Sequence, residues 1–195
     1  QPDGNMSLDL KIEQVKQYPT KDGEVTEILL KDKVYPFEIK QYYKAYQGTD
    51  IISTWIEIMN NGKKSVTLYR FVSAYLPVQR GDNWLTHFHG HWGAENMLEE
   101  EKLTNGQKVI SNKDGMVNTE TDNPSFMLSI DGKPQEEYGH ILGGTLAWTG
   151  NYLLKMDITN TKLNIIAGIN EENSHYKLES KETFKTPEFA MTYST

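Results

Sequence analysis

Apolar residues in this chain fall mostly on alternate positions rather than at intervals of three and four, and a period of two belongs to strands. Tyr, Thr, Ile and Val, which suit a pleated and half-buried surface, are plentiful along the same stretches. Residues 7–15 carry Leu8, Leu10 and Ile12 on even steps, then slip at Glu13-Gln14 to reach Val15, which predicts a bulged strand with one buried face. Residues 36–46 alternate again, with Phe37, Ile39, Tyr42 and Tyr46 predicted in the core after one slip of register. Residues 51–59 and 65–73 are predicted to pair as a hairpin across Asn60-Asn61-Gly62-Lys63, because Asn and Gly tolerate the positive φ of a tight turn.

Asp22-Gly23, Asn105-Gly106, Asp114-Gly115, Asp131-Gly132 and Gly150-Asn151 punctuate the remainder into strand lengths. Only residues 93–103 read otherwise, as a loop or short helix with Glu99-Glu100-Glu101 exposed. The pattern predicts an all-β fold, a large antiparallel two-sheet β-sandwich, as one domain over residues 1–195.

Composition narrows the picture. A chain of 195 residues buries roughly 70 % of its unfolded surface, so it needs no metal or disulfide to fold. There is no cysteine, which excludes a thiolate nucleophile or ligand. A net charge of −7 without a Lys/Arg cluster argues against nucleic acid as a partner. Apolar runs such as residues 28–30 are far shorter than the roughly 20 residues of a membrane helix. The start at Gln1-Pro2-Asp3, without an initiator methionine, suits a processed or a deliberately trimmed polypeptide; the compartment is unknown, a periplasmic or secreted one being favoured for a processed chain.

Candidate chemistry centres on His87-Phe88-His89-Gly90-His91. Histidines two apart on a strand point to one side, so His87, His89 and His91, with Glu95 as a fourth ligand, are weak metal candidates. Trp84 and Trp92 flank that run and are candidates for stacking on a sugar ring, Trp84 being expected to be the exposed one. Trp55 and Trp148 lie in strand patterns and are expected in the core. Glu99 to Glu101 and Glu136-Glu137 read as solvated acidic surface. No Gly-x-Ser-x-Gly or phosphate loop is present, and Gly143-Gly144 sits inside a strand pattern. No cofactor is expected.

From about Pro36 onward the chain resembles the N-terminal domain of family 36 glycoside hydrolases, the α-galactosidases. Arg70-Phe71-Val72-Ser73-Ala74-Tyr75-Leu76-Pro77 looks like that family's segment of an arginine, Ser-Ala and a strand-ending proline. Gly90, Trp92 and Glu95 match its Ser-Gly-Arg-Trp-Ala-x-Glu, although His89 and His91 stand where relatives carry Ser and Arg. Asn123-Pro124, Glu136-Glu137-Tyr138-Gly139, Leu146 through Tyr152 with its Gly150-Asn151-Tyr152, and Gly168-Ile169-Asn170 follow in the family's order. Glu182 through Glu188, then Tyr193-Ser194, resembles the segment that closes the domain before a barrel. Residues 1–34 are less recognisable.

The resemblance implies a β-supersandwich that docks on a C-terminal (β/α)8 catalytic domain of the same polypeptide, expected after residue 195, and that supports contacts between copies in a homo-oligomer. It implies retaining hydrolysis of terminal α-galactosides by the whole enzyme, with an aspartate nucleophile in a Lys-Trp-Asp or Lys-Tyr-Asp motif. Lys155-Met156-Asp157 imitates that motif but lies upstream of Thr186-Pro187-Glu188, so no catalytic residue is assigned here. The alternatives are a free-standing carbohydrate-binding module using Trp84 and Trp92, and a small metal-dependent enzyme built on the histidines.

Overall fold

The computed structural model describes residues 3–5, 7–116, 122–172 and 174–195. Among these the alternating segments form strands and no helix. The chain opens with β1 (Leu10–Thr20), β2 (Gly23–Asp32), β3 (Phe37–Tyr46) and β4 (Ile51–Asn60). Short β5 (Val66–Leu68) and β6 (Ala74–Val78) lead to a hairpin of β7 (Trp84–His91) and β8 (Ala94–Lys102), then to β9 (Gly106–Asn112), β10 (Asp122–Ser129) and β11 (Ile141–Leu146). A second hairpin, β12 (Tyr152–Ile158) with β13 (Leu163–Ile169), precedes β14 (Tyr176–Leu178), β15 (Thr183–Lys185) and β16 (Phe189–Ser194).

Every strand pair among the described residues is antiparallel. A ten-stranded sheet runs β1-β2-β3-β4-β16-β11-β10-β7-β8, with β15 also on β4, and a four-stranded sheet runs β6-β13-β12-β9. β14 and β5 form a separate ladder. The sandwich is thus lopsided rather than two equally large sheets. Alternate residues of β12 (Tyr152, Leu154, Met156, Ile158) and β13 (Leu163, Ile165, Ala167) face inward. They pack on Leu85, Phe126, Leu128, Leu146 and Phe189 of the large sheet. At about 1.5–3 kcal/mol per large apolar side chain buried, this layer is the principal stabilising interface. A smaller cluster of Phe37, Ile58 and Leu178, with Phe71, Tyr176 and Phe184 against it, covers one end of β3 and β4.

Several expectations give way to packing. The bulge in β1 lies between Ile12 and Gln14 as expected, but neither face of β1 is buried: Ile12 is 66 % and Val15 56 % exposed. Alternation reports an amphipathic strand, and among the described residues no second layer covers the amphipathic face. β3 pairs with β4 without any slip, Phe37 opposite Asn60 through Ala45 opposite Ile52. Phe37 and Ile39 therefore lie on one face, and Tyr42 and Tyr46 on the other. There Tyr42 stacks on Trp55 with ring centroids 4.8 Å apart. Trp148 is exposed rather than core.

The predicted hairpin of residues 51–59 with 65–73 does not form. The edge of β4 is taken instead by β15 and β16, and β5 turns away to pair with β14. Asn60 explains the outcome. Its buried Nδ2 donates to the carbonyls of Lys64 (2.9 Å), Glu179 (3.2 Å) and Leu178 (3.3 Å), while Oδ1 accepts from the Gly62 N–H (3.0 Å). Neither Asn61 nor Gly62 takes positive φ, so the loop is held by a side-chain staple instead of a tight turn. Asn83 and Asn170 are buried in the same way, Asn83 bonding the carbonyl of Ile130 just past β10 and Asn170 that of Asn112 at the end of β9.

Candidate functional site

Residues 93–103, expected as loop or short helix, form the edge strand β8 instead. Glu, Met and Leu favour helix intrinsically, yet an edge strand rich in charge is also a common defence against unwanted pairing, and tertiary pairing decides. β8 pairs with β7 so that His87 faces Glu99 and Leu85 faces Glu101. Glu99 and Glu101 consequently project from one face and Glu100 from the other, where Lys133 lies 3.6 Å away.

Leu85, His87 and His89 share the face of β7 that looks toward the small sheet. His87 is 3 % exposed, and both of its ring nitrogens are buried without a hydrogen-bond partner. Its Nε2 lies 3.5 Å from Glu101 Oε1 and 3.7 Å from Glu99 Oε2. His89 Nε2 lies 3.5 Å from the same oxygen of Glu99. From the facing sheet, the Lys108 ammonium of β9 contacts Glu101 Oε1. Two imidazoles, two carboxylates and an ammonium thus converge at the open edge of the sandwich.

The structure regroups the predicted ligands. A register shift separates His89 from His91, and His91 Nδ1 is 3.0 Å from the carbonyl of Trp92 at the exposed tip of the hairpin. Glu95 is also at the tip, its Oε1 accepting the Gly93 N–H at 3.0 Å. That backbone bond holds its carboxyl below the usual range. His87 and His89 come together, whereas His91 and Glu95 do not join them. Glu99 and Glu101, expected as solvated surface, face the two histidines instead. The sequence signal for them is the Glu-x-Glu spacing that matches His-x-His across a hairpin.

The tryptophans are separated as well. Trp92 is 83 % exposed beyond the end of β7, while Trp84 begins that strand half-buried, its Nε1 enclosed and Lys133 over its ring. Eight residues of strand set them roughly 26 Å apart, beyond the reach of one sugar ring. Lys155-Met156-Asp157 lies within β12, with Met156 in the core and Lys155 Nζ 3.3 Å from Asp157 Oδ2. Glu136 and Glu137 lie in the exposed connection between β10 and β11.

The model of the glycosyl hydrolase family 36 N-terminal domain matches residues 1–179. The chain belongs to this family. The match takes in residues 1–34, which are hard to recognise by eye. Among curated relatives, α-galactosidase AgaA of Geobacillus stearothermophilus is 26 % identical over 174 residues, 89 % of this chain and 24 % of AgaA. α-Galactosidase Mel36A of Lactobacillus acidophilus is 29 % identical over 168 residues, 86 % of this chain and 23 % of Mel36A. The crystal structure of AgaA superposes with a TM-score of 0.91 at 25 % identity, covering 98 % of this chain and 29 % of that one. The chain spans about a quarter of the length of these curated relatives.

The residues that carry the family likeness do structural work here. Asn151 Oδ1 accepts the Gly115 N–H at 2.7 Å, and Tyr152 is fully buried. A Cβ on Gly168 would stand 3.1 Å from the Val72 Cα. Thr186 Oγ1 accepts the Ile56 N–H at 3.0 Å where β15 hands over to β16. Pro187, which has no N–H to offer a ladder, sits in that interruption.

Proposed function

We propose that this chain is the non-catalytic N-terminal domain of a retaining α-galactosidase acting on terminal α-galactosides. It docks on a (β/α)8 catalytic domain of the same polypeptide and takes part in contacts between copies. The observation that carries the reading is that nearly the whole chain corresponds to under a third of AgaA, itself an α-galactosidase. Retaining glycosidases hold two carboxyls about 5–5.5 Å apart, and barrel enzymes set such groups at the ends of parallel strands. Strands of that kind are absent among the described residues.

A surface suited to docking is present. Ile12, Leu30, Ile39 and Ile58 are successive partners across β1 to β4, as are Val15 and Ile28, so one apolar stripe crosses four strands. It leads into a groove lined by Leu8, Val66, Leu68 and Phe71. The expected assay result is no release of nitrophenol from a chromogenic α-galactoside by the purified chain. Turnover that survives repurification overturns the non-catalytic assignment. Coding sequence past Thr195 that continues into a barrel with Lys-Trp-Asp or Lys-Tyr-Asp supports docking, and a stop codon there overturns it.

The bare indole of Trp92 favours one alternative, a carbohydrate-binding module. Trp84, half-buried at the far end of β7, does not reach the ring that Trp92 would stack on. Saturable galactose or raffinose binding lost in Trp92→Ala would support the module.

A further inference from the structure

We propose that His87, Glu99 and Glu101, completed by His89, form a divalent-cation site with the nitrogen and oxygen donors that suit zinc. The site spans the β7–β8 hairpin. His-x-His on one strand and Glu-x-Glu on its antiparallel neighbour put all four side chains on one face, because residues two apart on a strand point the same way.

Three donor-to-donor distances match the edges of a tetrahedral ion. Bonds of about 2.0–2.1 Å from zinc to imidazole nitrogen and carboxylate oxygen imply ligand-to-ligand edges of about 3.4 Å. The edges here are 3.5 Å from His87 Nε2 to Glu101 Oε1, 3.7 Å from His87 Nε2 to Glu99 Oε2, and 3.5 Å from His89 Nε2 to Glu99 Oε2. The ligand atoms of His87, Glu99 and Glu101 all lie within 4.8 Å of one another.

The second observation is the imidazole of His87. It is almost wholly buried, has no hydrogen-bond partner, and points its Nε2 between two carboxylates. Burying a polar nitrogen unpaired costs free energy. A cation bound at Nε2 removes that cost for this nitrogen. Charge agrees, because Lys108 offsets one of the two carboxylates and leaves one negative charge over. Lys108 is also the cation's competitor for Glu101. His87 Nδ1 lacks the supporting acceptor that usually orients a ligating histidine, so the site is a modest one that pins the edge strand β8.

Zinc chloride titrated into the chelator-stripped 195-residue chain near neutral pH tests the proposal by calorimetry. One zinc ion should bind saturably. Glu99→Gln and Glu101→Gln, both partly exposed and checked for native circular dichroism, should each weaken binding at least about tenfold, the loss known for merely supporting residues of metal sites. Lys108→Gln should tighten binding, and His91→Ala should leave it unchanged. Zinc at about a hundred times Kd should raise the unfolding midpoint by roughly 5–10 °C. The proposal is overturned by the absence of saturable heat with the wild-type chain. It is equally overturned if both glutamine variants bind like wild type, or if His91→Ala abolishes binding.

Discussion

Gly144→Ala is the sharpest test of how the two sheets meet. Gly144 lies in β11 opposite Phe126 of β10 and Met191 of β16. Its missing side chain is where the Phe126 and Phe189 rings converge, their centroids 6.3 Å apart. A Cβ there would stand 2.6 Å from Phe189 Cζ and 2.7 and 2.8 Å from Phe126 Cζ and Cε1, against an optimum of about 3.5–4.0 Å between carbons. Replacing Gly by Ala restricts the unfolded chain and contributes about 0.4–1 kcal/mol of stability where the site accepts it. Overpacking a filled core costs about 1–3 kcal/mol, and two buried rings must move here, so the loss wins.

A net destabilisation of about 1–2 kcal/mol lowers Tm by roughly 2–8 °C in a chain of this size. Urea unfolding and calorimetry read it. Gly143→Ala is the control, because its Cβ would meet only the exposed Thr192, whose Cγ2 is 3.1 Å away and free to rotate. In a Phe189→Leu background Gly144→Ala should cost less than in wild type, since the two sites are coupled. A Gly144→Ala chain that melts at or above the wild-type temperature, or one whose loss simply adds to that of Phe189→Leu, would refute the reasoning.

Asn60→Ala removes the donor to three loop carbonyls and should cost about 1–3 kcal/mol in urea unfolding. Acid should unfold the chain progressively. Backbone N–H groups of Tyr35 and Val34 hold Asp32 below its ordinary 3.8, the His140 bond does the same for Asp131, and the Tyr176 hydroxyl holds Glu182 below its ordinary 4.5. The unfolded chain therefore binds more protons as pH falls through those values. This stability is complete above them and is lost below, so Tm against pH should drop from about pH 4.5 downward, and less steeply in Asp131→Asn. Ile12→Glu with Val15→Glu should leave the chain's own stability within about 0.5 kcal/mol, as for exposed positions. On the proposed contact between copies, the same pair should weaken self-association of the full-length polypeptide in sedimentation, and unchanged association would remove the stripe from that contact.

Where one strand's own alternation decides its environment, the sequence was informative. The bulge in β1 is visible as the slip between Ile12 and Val15, and a period of two runs into the core throughout β12 and as far as Ala167 in β13. What could not be read is what lies across from a strand. Asn60 has the composition of a turn residue, but its side chain reaches carbonyls more than a hundred positions away in Leu178 and Glu179. β8 carries helix-favouring residues and becomes a strand because β7 offers it a ladder. The histidine spacing was legible, but its acidic partners were not. Their pairing depends on a register set beyond the shift between His89 and His91.

The same distinction explains the β1–β2 hairpin. β1 forms the outer edge of the large sheet and pairs only with β2 among the described residues. Lys11, Glu13 and Lys16 crowd it with charge, which discourages another strand from adding to its open hydrogen-bonding groups. Its face is different: Ile12 and Val15 extend the apolar stripe of β2, β3 and β4 outward into solvent. A two-stranded ribbon of this kind is marginal by itself and is held here as an extension of β3 and β4. The edge is guarded against strand addition while the face stays apolar, and a flat apolar face of this kind suits the docking proposed above.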